Sequence, residues 1–150
     1  MSRILIVDDE PNIRELIGTI LRLENHEILE ASHGREALDV LERNARALPD
    51  LIVLDLSMPE MDGWRFLEEL YVRGLRKHMR VVIVTGAYES DQPIGTGARV
   101  DVLPKPFDSK SLVEMVKEAL QRDPGELYER HERSSELARL LSKVDEVLGN

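Results

Sequence analysis

Five short apolar runs recur along this chain, and they constrain its fold more than any other feature of the sequence. They cover residues 3–7, 27–31, 50–55, 80–85 and 100–103. Most of the segments between them carry apolar residues at helical spacing. Strands of this largely apolar kind are typical of a parallel sheet that helices cover on both faces, and the crossovers of such a sheet are right-handed. The pattern therefore predicts an α/β fold with a doubly wound five-stranded parallel sheet.

Four helices are predicted between and after these strands. They cover residues 11–24, 35–44, 64–72 and 109–121. Pro11 suits a first helical turn, where its missing N–H would have no partner, and Ser109 is the predicted cap of the last helix. The segment 86–99 stands where a further helix would be expected, but its proline and glycines oppose one.

The helical pattern is interrupted after Arg122 by an Asp-Pro-Gly sequence at 123–125. We expect a domain over residues 1–122 and an amphipathic helical extension over 123–150. Six apolar residues of the extension share one helical face: Leu137, Leu140, Leu141, Val144, Val147 and Leu148. A stripe of this width is seldom left in water.

Three ways of burying that stripe are open on the sequence. The extension can pack on its own domain, pair with a second copy, or begin a longer helix that leads to another domain. Pairing through residues 125–148 is the preferred interpretation, since symmetric dimers are the commonest oligomers. The 28 residues after Arg122 are too few for a DNA-binding or enzymatic domain, so we expect either a single-domain protein with a helical tail or part of a longer chain.

Composition narrows the range of functions. The formal net charge is −9 and the basic residues are interspersed with acids, which argues against direct binding to nucleic acid. The absence of cysteine excludes disulfides, thiol nucleophiles and cysteine zinc sites. No apolar run has the length of a signal peptide or a bilayer span. These features predict a cytoplasmic protein without membrane contact.

Conspicuous polar residues stand at the carboxyl ends of four predicted strands. Asp8 and Asp9 follow the first, Asp55 ends the third, Thr85 ends the fourth and Lys105 follows the fifth. Ligands of open α/β sheets bind outside the carboxyl ends of the strands, where the strand order reverses. We therefore expect these five side chains to converge at one edge of the sheet.

Three carboxylates at one edge repel each other unless a cation neutralises them. Mg2+ favours oxygen ligands and is typically held by one or two carboxylates together with a phosphate. A carboxylate beside that ion can attack a phosphoryl group and form an acyl phosphate, which makes Asp55 a candidate acceptor. Lys105 is the candidate ammonium and Thr85 a candidate hydroxyl donor for the phosphoryl oxygens. Each residue alone has an ordinary explanation as a turn, strand-end or surface residue, but their joint occurrence favours phosphoryl transfer.

Residues 3–121 resemble a receiver domain, the response-regulator family that includes the bacterial chemotaxis receiver. The matching motifs are LIVDDE (5–10), VLDLSMPEMDG (53–63), VTGA (84–87) and LPKPF (103–107). The resemblance implies a phosphoacceptor signalling module of a two-component system. Its donor would be a sensor histidine kinase or a histidine phosphotransfer protein, and its only chemistry would be on itself, so it would not be an enzyme in the usual sense.

The resemblance also implies a metal site with Mg2+ as the cofactor. Asp55 would be the phosphoacceptor. Asp9, Asp55 and the backbone carbonyl of Ser57 would bind the ion directly, and Asp8 would act mostly through a water ligand.

The remaining motif residues have implied roles as well. Lys105 would contact the acceptor and then the phosphate, Thr85 would move to the phosphate on activation, and the peptide bond before Pro106 would be cis. The family usually has an aromatic residue three positions before the lysine, where this chain has Val102. With IVTGAY at 83–88, the chain partly resembles a receiver subgroup nicknamed FAT GUY, in which the helix before the fifth strand is reduced.

Two other functions stay open on the sequence. A magnesium-dependent phosphatase with an aspartate nucleophile usually has a second aspartate two residues later, where this chain has Ser57. A receiver-like protein that binds partners without phosphorylation would normally have lost an acid, the threonine or the lysine. None of these is missing here, so both alternatives are less favoured than the phosphoacceptor.

Overall fold

Strands and helices alternate through the residues that the computed structural model describes, which are 1–75, 78–86 and 101–122. The strands are β1 (Arg3–Val7), β2 (Glu27–Ala31), β3 (Leu51–Leu54), β4 (Arg80–Thr85) and β5 (Asp101–Pro104). The helices are α1 (Pro11–Leu23), α2 (Gly34–Arg43), α3 (Gly63–Val72) and α4 (Ser109–Leu120).

The strands form one parallel sheet in the order β2-β1-β3-β4-β5. The chain runs from β1 to β2 on one side and then crosses to β3 on the other, so the strand order reverses between β1 and β3. Val7 at the end of β1 is level with Ala31 and with Leu54. The predicted doubly wound five-stranded sheet is confirmed.

Alternate residues of the central strands build two separate cores, one on each face of the sheet. Leu5 and Ile52 face the layer of α2 and α3, whereas Ile6 and Val53 face the layer of α1 and α4. Residues 4 to 7 of β1 are all fully buried because both faces are covered. This two-sided burial explains why the strands read as apolar runs.

Most predicted boundaries lie within one residue of those observed, and Pro11 begins α1 as expected. The predicted cap of α4 was wrong. The cap is Asp108, whose carboxylate accepts a hydrogen bond from the Ser111 N–H at 2.7 Å. Ser109 is instead the first helical residue, because the aspartate one position earlier offers its side-chain oxygen to the free N–H groups of the first turn.

Two predictions fall outside the described residues. The interrupted segment at 86–99 does so apart from Gly86, and the extension over 123–150 does so entirely. Within the described part of the chain, no helix has both the length and the apolar character needed to cross a bilayer.

Candidate functional site

The carboxyl ends of β1, β3, β4 and β5 bring the predicted site residues to one edge of the sheet. Backbone hydrogen bonds extend the sheet by one residue past two of these strands. The Asp8 N–H donates to the Ala31 carbonyl at 3.2 Å, and the Asp55 N–H donates to the Val7 carbonyl at 2.9 Å. Asp8 and Asp55 therefore hold fixed positions beside each other, where the strand order reverses.

Asp8 is the most deeply buried acid of this edge, with 1% of its surface exposed. One carboxylate oxygen accepts from the Glu10 N–H at 2.9 Å, and the other accepts from the Lys105 ammonium at 2.9 Å. Burial raises the pKa of Asp8 above its ordinary value, although the hydrogen bonds from Lys105 and Glu10 oppose that rise. Burial outweighs these partners, so the site disfavours the charge of the Asp8 carboxylate.

Asp55 is 4% exposed and has a partner on each carboxylate oxygen. Its Oδ1 accepts from the Thr85 hydroxyl at 2.9 Å and from the Ser57 N–H at 3.2 Å. The Lys105 ammonium lies 3.4 Å from Oδ2. The hydroxyl and the ammonium that the sequence predicts as a set thus contact the same carboxylate.

Lys105 reaches this cluster from the end of β5, where its N–H donates to the Thr85 carbonyl at 3.1 Å. Burial alone lowers the pKa of the ammonium. The hydrogen bond to Asp8 and the charges of Asp8, Asp55 and Glu10 outweigh that effect, so the pKa of Lys105 is raised. The Lys105–Pro106 peptide bond is cis, as the family resemblance implies.

Glu10 belongs to the cluster, although the sequence analysis did not select it. Its carboxylate lies 3.5 Å from the Lys105 ammonium. One carboxylate oxygen from each of Asp8, Asp9 and Glu10 lies within 4.8 Å of the other two. The available signal was its position directly after two site acids, but Glu10 also precedes α1, where the helix dipole favours a negative charge of any kind.

The backbone after Asp55 packs tightly against the start of α3. The Gly63 N–H donates to the Leu56 carbonyl at 3.0 Å. A Cβ atom at position 63 would lie 2.5 Å from the Asp55 carbonyl oxygen and 2.8 Å from the Leu56 Cα. Only glycine fits this approach without a backbone shift. Ser57, between these positions, is exposed.

A second glycine, Gly34 at the start of α2, packs against Met61 of the same loop. A Cβ atom at position 34 would meet the Met61 side chain at 2.8 Å and its carbonyl oxygen at 2.9 Å. Sequence reasoning missed both glycines as site residues, since each contacts atoms that are distant along the chain.

Val102, where the family has an aromatic residue, is partly buried and packs against the core on the α2 and α3 side of the sheet. The inward turn of an aromatic ring at this position is therefore not available to the chain.

Comparison with known proteins gives a consistent result. The profile of the response regulator receiver domain matches residues 4–117. The sporulation initiation phosphotransferase F of Bacillus subtilis is 34% identical over 79% of this chain and 94% of its own length. The regulatory protein AtoC of Escherichia coli is 37% identical over 81% of this chain but only 26% of its own length. The chain covers between 26% and 52% of the length of AtoC and of four other regulatory proteins that it matches, so it corresponds to only part of each.

Solved structures are similar over the same region. The receiver domain from the hybrid histidine kinase CckA is 39% identical, with a TM-score of 0.66 over 80% of this chain and all of that one. The response regulator TrrA of Thermotoga maritima, in complex with Mg2+ and BeF, is 34% identical. Its TM-score is 0.67 over 79% of this chain and 99% of that one.

Proposed function

Since the chain belongs to the response regulator receiver domain family, the phosphoacceptor domains of two-component systems, we propose that it accepts a phosphoryl group on Asp55 with Mg2+ as cofactor. The receiver domain comprises residues 1–122 in this proposal. The observation that carries it is the Asp55 carboxylate, which is buried and contacted by both the Thr85 hydroxyl and the Lys105 ammonium.

The proposed reaction is a transfer to the Asp55 side chain. A carboxylate oxygen forms a bond to phosphorus while the bond from phosphorus to the donor breaks, and the leaving group departs with the electron pair. For a phosphohistidine donor the leaving atom is an imidazole nitrogen, and for acetyl phosphate it is a carboxylate oxygen. The product is an acyl phosphate on Asp55.

The residues present fit a magnesium ion. Three acids in sequence converge, and all their donors are carboxylate oxygens, the ligand type that Mg2+ favours. Asp9, Asp55 and the Ser57 carbonyl would hold the ion directly, and Asp8 would act through water. When bound, the ion supplies positive charge that offsets the charge of the phosphoryl oxygens.

Lys105 and Thr85 supply the other electrostatic contacts. The Lys105 ammonium already lies beside Asp55 and needs only a local movement to contact a phosphoryl oxygen there. The Thr85 hydroxyl likewise points at the carboxylate before any phosphoryl group is present. Fixed donors of this kind cost little rearrangement when charge develops in the transition state.

The placement of Thr85 also bears on switching. Before phosphorylation the Thr85 hydroxyl already contacts the Asp55 carboxylate. Position 102 carries a valine, so no aromatic ring can turn inward together with Thr85. We infer that activation changes the hydrogen-bond partner of Thr85 from Asp55 to the phosphoryl group, without the aromatic movement usual in the family.

Receiver domains interact with histidine kinases or phosphotransfer proteins, and we propose such a protein as the donor for this chain. Pairing of two copies through residues 125–148 and a cytoplasmic location are further parts of the proposal. The sequence pattern described above supports both.

Labelling by a small phosphodonor tests the proposal. We expect Mg2+ and acetyl phosphate to add one phosphoryl group per chain, detected by intact-mass spectrometry, and Asp55→Asn to abolish that addition. Equal labelling of Asp55→Asn would show that another residue is the acceptor. Release of many equivalents of phosphate per chain from a generic phosphoester would instead favour an enzyme with an aspartate nucleophile.

A further inference from the structure

We propose that Glu10 selects among phosphodonors by their net charge, because its carboxylate stands at the mouth of the cavity that leads to Asp55. This inference rests on the proposed function of Asp55. It assigns a specificity-determining role to a residue outside the acceptor, lysine and threonine set.

The position of Glu10 is the first observation. Among the described residues, those that line a cavity of about 300 Å³ at the end of the sheet are Glu10, Asp55, Ser57, Thr85, Gly86 and Lys105. The Asp55 side chain is 5% exposed, whereas the Glu10 side chain is 60% exposed. A donor that approaches Asp55 through this cavity therefore passes the Glu10 carboxylate.

The second observation concerns what the Glu10 side chain does in the fold. Glu10 is the cap residue of α1, but its side chain accepts no capping hydrogen bond from that helix. Its N–H donates to Asp8, which fixes the backbone of Glu10 relative to the acidic cluster. The carboxylate is directed to Lys105 at 3.5 Å instead. A helix-capping role therefore does not account for the side chain.

The third observation is the balance of charge. Asp8, Asp9, Glu10 and Asp55 bring four carboxylates to this edge, and Lys105 is the ammonium that contacts three of them. A divalent cation together with Lys105 neutralises three of these negative charges. Among these five side chains, one negative charge then has no counterpart. The Glu10 carboxylate is open to solvent, with 60% of its side chain exposed, so an incoming anion meets excess negative charge there.

The expected size of the effect follows from Coulomb's law. One carboxylate about 8 Å from a doubly charged donor in a largely aqueous environment changes its local concentration by about two- to fivefold at low ionic strength. Such an interaction is screened at high salt, where the Debye length is roughly 3 Å.

Two donors of different charge separate this effect from a general change in reactivity. Acetyl phosphate carries one more negative charge at neutral pH than phosphoramidate, whose nitrogen is protonated. With saturating Mg2+ and low salt, we expect Glu10→Gln to raise the labelling rate constant about two- to fivefold for acetyl phosphate and less for phosphoramidate. Glu10→Lys should raise the rate constant for acetyl phosphate further. Glu10→Asp should keep the wild-type ratio of the two rate constants.

The control is Glu114→Gln, which removes the same charge from an exposed position on α4 and should leave both rate constants unchanged. Calorimetric titration of Mg2+ without any donor gives the concentration that saturates each variant. High salt should remove the difference between Glu10→Gln and the wild type.

The inference is overturned if Glu10→Gln is labelled by acetyl phosphate at the wild-type rate or more slowly at saturating Mg2+. Equal acceleration for the two donors, or acceleration that persists at high salt, also overturns it. Failure of the proposed function would give a different result. In that case Asp55→Asn would be labelled as well as the wild-type chain.

Discussion

The Thr85 hydroxyl donates a hydrogen bond to Oδ1 of Asp55 at 2.9 Å, and both side chains are buried. This contact joins the end of β4 to the residue after β3. It places a neutral donor against a carboxylate that has little access to water, so it contributes to the stability of the fold as well as to the geometry of the proposed acceptor.

Replacing Thr85 by valine tests that double role. Thr85→Val keeps the side-chain shape but removes a hydrogen bond to a buried charged group, so we expect a loss of about 1–3 kcal/mol in the free energy of unfolding. Labelling of Asp55 should also slow. Urea denaturation without Mg2+ and intact-mass kinetics measure the two effects. Thr85→Ser restores the hydroxyl and should recover most of the labelling rate; a Thr85→Val chain that labels like the wild type would contradict this assignment.

Removing the Lys105 ammonium should destabilise the protein near neutral pH. Lys105→Met leaves the buried Asp8 and Asp55 carboxylates without their shared cation, and we expect a cost of about 2–4 kcal/mol in the absence of divalent ions. The exposed Lys110→Met is the matched control and should change stability little.

The pH dependence of that loss has a defined sign. The pKa of Lys105 is raised, so the stability that it contributes is fully present below its ordinary value of 10.5 and is lost as pH rises through the folded-state value. The raised pKa of Asp8 means that the native state binds its proton more tightly than the unfolded chain, so protonation of Asp8 at low pH favours folding. The difference in stability between Lys105→Met and the wild type should therefore be largest near neutral pH. It should shrink at low pH, where protonation of Asp8 removes the partner charge of Lys105, and again at high pH, where Lys105 loses its proton. Denaturation curves from pH 4 to pH 11 check this, and a constant difference would contradict it.

Gly63→Ala should damage both the fold and the site. The added methyl group would stand 2.5 Å from the Asp55 carbonyl oxygen, and backbone atoms cannot rotate away as a side chain can. We expect a loss of about 1–3 kcal/mol and slower labelling of Asp55.

Gly74→Ala is the comparison for Gly63→Ala, because it changes a backbone conformation without creating a steric contact. Gly74 has φ +71, but a Cβ atom there would meet nothing within 4 Å. Its substitution should cost about 1 kcal/mol from the left-handed conformation alone and leave labelling unchanged. Slower labelling in Gly74→Ala would show that loss of stability, rather than the position of the loop, limits the reaction.

The extension is expected to pair two copies of the chain. The apolar stripe of residues 137–148 is the reason for this expectation. Sedimentation equilibrium at micromolar concentration should give a dimer for the full chain and a monomer for a chain that ends at Arg122. A monomeric mass for both chains would show that the stripe is not a dimer interface under these conditions.

The sequence by itself determined the class of fold and most of the site. The apolar runs define strands because both faces of the sheet are covered, and the positions of Asp8, Asp55, Thr85 and Lys105 follow from where those strands end. Strand length and strand end are local properties, and parallel pairing brings like ends together. A list of candidate residues could therefore be written without coordinates.

The tertiary structure alone determined which of these side chains are in contact and which parts of the backbone pack against them. The contact of Lys105 with Asp8, Asp55 and Glu10 depends on the order of strands in the sheet and on the path of the chain after β5. The close approach of Gly63 to the Asp55 carbonyl depends on how α3 packs beneath the loop. Such relationships join atoms that are distant along the chain, within tenths of an ångström. Periodicity and spacing describe the chain only locally, so they predict which residues reach the edge of the sheet but not the distances between their side chains.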